Sequence, residues 1–215
     1  MKKQQTGFTL IELAIVLVII GLLLGGVLKG QELINSAKVK NMASDFKNIQ
    51  VYIYGYQDKY RALPGDDRLA SAHVTGATVA STNGTVGNGV IEGEWNTDTL
   101  TDESALFWQH VRLAGLAAGP TSTADAAYFP TNADGGRIGV QSVSGFTKIT
   151  GMSGSFAICS DAILGRFVKQ LDTALDDGET STGSLRAVLA STATGAGVTT
   201  AKVVDASSYT VCLTF

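Results

Sequence analysis

The stretch FTLIELAIVLVIIGLLLGGVL, from Phe8 to Leu28, holds 21 residues and a single charge, Glu12. As a helix it spans roughly 32 Å at about 1.5 Å per residue, close to the hydrocarbon thickness of a bilayer. A short basic segment, MKKQQTG, precedes it, and no proline interrupts the chain until Pro64. In the continuation, Val39, Met42, Phe46, Ile49, Ile53, Tyr56 and Tyr60 recur at alternating spacings of three and four. That spacing draws one apolar face on a helix. It predicts a continuous helix from about Phe8 to about Tyr60, about 80 Å long at the same rise. The first half is apolar all round and requires lipid or other helices. The second half is apolar on one side and requires a globular domain to cover it.

Simpler readings of the opening run compete. A secretory signal peptide accounts for the basic start, but the run is long and INSA before Lys38 is a poor cleavage site. A plain single-span anchor accounts for the length and leaves Glu12 unexplained. Charge does not orient such an anchor, because Lys2 and Lys3 face Lys29, Lys38 and Lys40 across the span. Glu12 lies near the end of the run, where it can reach the surface at modest cost. At the bilayer centre an acid costs roughly 2.5–3.5 kcal/mol.

The whole stretch KKQQTGFTLIELAIVLVIIGLLLGG resembles the N-terminus of type IV prepilins and type II secretion pseudoprepilins. The shared pattern is a short basic leader ending in Gly7, then Phe8 to Leu13 with Glu12, then an unbroken apolar run. The resemblance implies cleavage after Gly7 by a prepilin peptidase and methylation of the new N-terminal residue, Phe8. The mature chain would have 208 residues, and losing Lys2 and Lys3 would move the side-chain net charge from −3 to −5. The resemblance also gives Glu12 a role. Its carboxylate would neutralise the Phe8 amine of the same or a neighbouring subunit and fix the axial register between subunits. Many pilins carry a proline near the middle of this helix. Here Lys29 stands roughly at that place, among Gly21, Gly25, Gly26 and Gly30. The glycines either weaken the helix locally or let helices pack closely, and both readings stay open.

Three later stretches broaden the resemblance to larger prepilin-like proteins with an LPGD turn: ALPGDD, GNGVIEGEW and DESALFWQHVRLAGLAAG. LDTALDDGETSTGSLRA looks like the later portion of that subgroup. The implied organisation is a leader at 1–7, a membrane and filament-core half at 8–28, an amphipathic half at 29–62 and a head at 63–215. Pro64 stops the long helix. A short helix is expected over Asp102–Ala118, capped by Thr99 or Thr101, with Trp108 and His110 facing loops or neighbours. A second is expected over Asp161–Leu175, capped by Ser160. Strand candidates are Arg137–Val143, Ser155–Cys159, Leu185–Ala190, Val198–Val204 and Tyr209–Phe215. Residues 75–88 form a Gly/Thr/Ser loop. The fold class is α+β: a long helix on a small, mostly antiparallel sheet, with extra helices.

Cys159 and Cys212 are the only cysteines. The periplasmic setting that the resemblance implies favours a disulfide between them, tying the start of the second helix to the last strand. Loop-entropy reasoning gives such a bridge about 4 kcal/mol as an upper figure. No catalytic constellation appears, which points away from an enzyme. His73 and His110 belong to no metal motif, and no GxSxG or phosphate loop is present. The acidic turns at Asp66/Asp67 and Asp176/Asp177/Glu179 are weak calcium candidates. Some pseudopilins are calcium-stabilised, yet neither turn has EF-hand spacing. NGT at Asn83 fits the glycosylation pattern. A net charge of −3 with no basic run argues against nucleic acid as the main partner. The expected function is that of a filament subunit of a type IV pilus. A secretion pseudopilin or a DNA-receptor pilin is the alternative. The partners implied are further copies of the chain, a prepilin peptidase, an inner-membrane assembly platform and minor pilins.

Overall fold

The computed structural model describes residues 9–215. The chain divides into two compact units between Lys38 and Val39. Helix α1, Leu10–Tyr60, runs through both. In the first unit every apolar side chain from Leu10 to Leu28 is exposed, and α1 is long and apolar enough to cross a membrane. The helix passes through Gly21, Gly25, Gly26 and Gly30 without a break, and nothing lies within 4 Å of where a Cβ would stand at any of them.

In the second unit the expected stripe is the buried face. Val39, Met42, Phe46, Ile49, Ile53 and Tyr56 are buried, and Tyr60 is half-buried. The first five share a single apolar cluster with Phe107, Trp108 and Val111 and with sheet residues such as Val140, Ile158 and Val211. The helix ends at Arg61, which takes a left-handed φ of 56°. Elements α2 (Ala70–His73) and α3 (Glu103–Leu113) follow. Then come β1 (Ile138–Ser142), β2 (Phe156–Leu164), α4 (Gly165–Leu175), β3 (Leu185–Leu189) and β4 (Ser208–Thr214). The four strands form one sheet in the order β1-β2-β4-β3, antiparallel throughout.

Several expectations are corrected. The second helix begins at Gly165 rather than at Asp161, because β2 runs on through Ser160 to Leu164. Ile163 and Leu164 pair with Tyr209 and Ser208 across an irregularity where Ala162 takes a φ of 55°. Pairing with a distant strand outweighs a local helix start. Cys159 therefore lies within β2, and the disulfide ties β2 to β4 rather than the start of a helix. Residues 198–204 form no strand. Val198 N–H donates to Ala187, and Thr200 is then turned by Glu179 into a short 3-10 helix, Thr200–Lys202.

Helix α3 stops at Leu113 rather than Ala118, and its N-cap position is Asp102, whose side chain makes no capping bond. Trp108 and His110 are both buried, and His110 meets the 63–67 turn and Thr78 from inside the head. Every residue from Glu103 to Arg112 is buried, so α3 is a fully enclosed helix. Its polar side chains must then find partners inside the head.

Candidate functional site

Two places in the chain carry the chemistry. The first is the start of α1. Thr9 precedes the first helical residue. Its N–H and hydroxyl both donate to Glu12 Oε2, at 2.8 and 2.7 Å, and Glu12 N–H donates back to Thr9 Oγ1 at 3.3 Å. This is a reciprocal capping box, the arrangement a T-x-x-E sequence favours at a helix N-terminus. Glu12 is exposed. Gly7 and Phe8, the expected cleavage and methylation positions, lie outside the described residues. Further along, Lys29 Nζ lies 2.6 Å from Glu32 on the exposed helix surface. Lys29 thus carries its own counter-charge where the apolar run ends.

The second place is the turn Leu63–Asp67, where three quoted sequence stretches converge. Gly65 has a φ of 93°, and a Cβ there would come within 2.3 Å of the Glu103 carbonyl oxygen. Only glycine lets the turn sit so close to α3. Gly65 N–H donates to His110 Nδ1 at 2.9 Å, and His110 Nε2 lies 2.8 Å from the Thr78 carbonyl. The first bond makes Nδ1 the acceptor, so the proton sits on Nε2 and the ring is neutral. Burial holds its pKa below the ordinary histidine value.

Asp66 and Asp67 divide the work of the turn. Asp66 Oδ1 accepts N–H bonds from Gly87 and Asn88, and Oδ2 accepts one from Gly89 at 2.7 Å. Asp67 accepts from Tyr56 Oη at 2.8 Å and from Leu69 N–H, and His73 Nδ1 stands 2.7 Å from its Oδ2. Burial pushes the Asp67 carboxyl up, but these bonds together outweigh it and hold the pKa below the usual carboxylate range. Glu103 Oε2 accepts from Glu92 N–H at 2.8 Å. Asp102 gathers Thr82, Asn83 and Thr97. Arg112 donates to the carbonyls of Pro120 and Tyr128 and lies over the rings of Trp108 and Tyr128.

The other acidic turn is organised in the same way. Asp176 Oδ2 accepts from Leu185 N–H, and Asp177 accepts from Glu179 N–H and Thr182 Oγ1. Glu179 accepts from Ser181 Oγ and Thr200 N–H. All the calcium candidates therefore hold protein donors. Among the described residues no three His, Cys, Asp or Glu side chains come together to hold a metal. Asn83 Nδ2, the atom a glycan would occupy, donates at 2.9 Å to both oxygens of the buried Asp102. Cys159 and Cys212 face each other in the β2–β4 register and are bonded, both fully buried.

Sequence reasoning missed Glu103, His110 and Asp172 as interior groups. Asp172 is fully buried on α4, and the backbone N–H of Gly178 is the donor that acts on its carboxyl. Burial, then the neighbouring acids, pushes its pKa up to about 6. Glu103 and His110 meet partners from distant parts of the chain, so no local spacing marks them.

Residues 2–28 match the family model of the prokaryotic N-terminal methylation motif. The match supports the prepilin and pseudopilin family and covers the stretch that carries the resemblance. No curated protein and no solved structure matches the chain.

Proposed function

We propose that this chain is a filament subunit of a type IV pilus. The observation that carries the reading is the first part of α1. It is an apolar helix exposed on every side, it lies within the methylation motif, and its one acid stands in the first turn. Such a helix is stable only in lipid or among other apolar helices. In the precursor it anchors the chain in the inner membrane with its N-terminus in the cytoplasm. A prepilin peptidase cleaves between Gly7 and Phe8 and methylates Phe8. The assembly platform then moves the subunit from lipid into a bundle of identical helices, with minor pilins as further partners.

Glu12 acts at that transfer. Moving the helix into the bundle removes the water that solvates its carboxylate. The cationic amine at Phe8 compensates the charge, and each is costly without the other. The capping box shows how near the two groups lie in sequence: Glu12 already reaches Thr9, the residue next to Phe8. The head stands outside the bundle, in the extracellular space for a pilus or the periplasm for a secretion pseudopilus. Its disulfide suits either oxidising setting.

Electron microscopy of sheared cell-surface material, with mass spectrometry of the subunit N-terminus, tests the proposal. Surface filaments whose subunits begin with N-methylated Phe8 are expected. Processed subunits found only in periplasmic filaments would instead assign the chain to a secretion pseudopilus. A mature chain that keeps Met1, or begins after Ala37, would overturn both.

A further inference from the structure

Two buried carboxyl groups meet where the Leu63–Asp67 turn crosses the start of α3. Asp66 is 2% exposed and Glu103 is fully buried. Asp66 takes three backbone N–H bonds from residues 87–89, and Glu103 Oε2 takes one from Glu92. Glu103 Oε1 accepts no N–H or O–H, and its carboxyl faces that of Asp66 within hydrogen-bonding reach. Two ionised carboxylates do not share such a place. One of them keeps a proton, or a cation stands between them. Four N–H groups already point at this pair, and among the described residues no third acid completes a metal group. A proton fits both facts.

We propose that Glu103 keeps its proton and donates it to Asp66, and that this acid–carboxylate bond is a pH-sensitive latch holding residues 87–89 and the 63–67 turn on α3. The groups acting on Glu103 are Asp66 from the turn and Glu92 from the 84–93 segment, both acidic. Burial first, then these acids, pushes its carboxyl up to about 7. His110 on α3 is neutral and committed to Gly65 and Thr78. Asp67 is engaged by Tyr56 and His73, and the stem of the exposed Arg68 lies beside Gly87. Among the described residues no cation acts on Glu103, so losing its proton leaves two negative charges face to face. Residues 87–89, whose three N–H groups rest on Asp66, are then released, while Ile91 stays fixed by core packing and by its bonds to Ser142.

Amide exchange of the full chain in detergent, corrected for the intrinsic pH dependence, tests the latch. Opening at Gly87, Asn88 and Gly89 should rise about tenfold per pH unit between about 5 and 7 and then level off. Glu103→Gln stays neutral and keeps an amide donor for Asp66, and it should flatten that rise. The wild-type chain should also show the infrared band of a buried protonated carboxyl at pH 6 and lose it by pH 8.5, a readout independent of any variant. Exchange that ignores pH, an unchanged slope in Glu103→Gln, or no such band would overturn the proposal. So would opening on adding EDTA at pH 6 that calcium chloride reverses, because an ion would then join the two carboxyls.

Discussion

Two stretches of one helix, Leu10–Leu28 and Val39–Tyr60, share a backbone conformation and differ in what makes it stable. The first has apolar side chains on every face and buries none of them. Its hydrogen bonds are all internal, so the surrounding phase decides its fate. The second has one apolar stripe, and that stripe is the buried face under a sheet and an enclosed helix. Helicity in water comes mainly from such packing, since propensity alone is marginal. The lesson is that one secondary structure serves two folding problems. Mutations should therefore separate cleanly, with first-stretch changes altering assembly and second-stretch changes altering the melting of the head.

The largest effect is expected in the first stretch. Glu12→Val should leave processing and head stability unchanged and reduce filament yield at least about tenfold. An uncompensated charge in a low-dielectric core costs ~3–5 kcal/mol. Filament yield after shearing, set beside the melting temperature of the same variant, checks it. Normal yield would remove Glu12 from assembly.

In the second stretch the contrast lies between faces of one helix. Phe46→Ala deletes a ring that is 1% exposed and should cost ~3–5 kcal/mol. Val51→Ala, at a site 63% exposed, should stay within about 0.5 kcal/mol. Equal losses at the two positions would mean that the stripe is not the packed face. Replacing both cysteines by serine should cost ~2–5 kcal/mol in thermal or denaturant melts, because the bridge closes a separation of 53 residues. Gly65→Ala should cost about 1–3 kcal/mol, since it forces a side chain into a left-handed turn against the Glu103 carbonyl.

A further effect is expected from pH. Burial raises Asp45 and Asp172 to about 6, each well above the ordinary carboxylate value. A carboxyl raised on folding stabilises the head fully below its unfolded pKa and loses that contribution as pH rises through the folded value. The stability of the head should therefore fall between about pH 4 and 6 on account of these groups, by no more than about 1.4 kcal/mol per unit for each. Asp172→Asn should flatten its share of that slope. A slope that steepens in Asp172→Asn would reverse the sign assigned to the group.

The sheet shows where legibility ends. Strands β1, β3 and β4 were readable to within about a residue at each end, because each alternates or is bounded by turn residues. β2 was readable only to Cys159. Its continuation, SDAIL, has the local marks of a helix start, and pairing with Tyr209 and Ser208 overrides them. Val198–Val204 alternates well enough for a strand, yet Glu179 and Thr200 turn it aside. For the candidate site, Gly7, Phe8 and Glu12 stand in a short contiguous pattern that any reader of the chain can find. The cluster around Gly65, Asp66, Glu103 and His110 joins positions 45 residues apart along the chain. No spacing announces it.

By itself the sequence determined the features that depend on near neighbours. These are the apolar run with its early acid, the three-four stripe from Val39 to Tyr56, the stop at Pro64 and the α+β class. Each follows from periodicity or from a single residue's backbone limits, and both act over a few positions. Only the tertiary structure decided that α3 is enclosed on every side, that β2 extends past Cys159, and that Asp66 and Glu103 meet. Those outcomes depend on which distant surfaces exclude water together. Desolvation is a property of the assembled neighbourhood, and no local pattern encodes it.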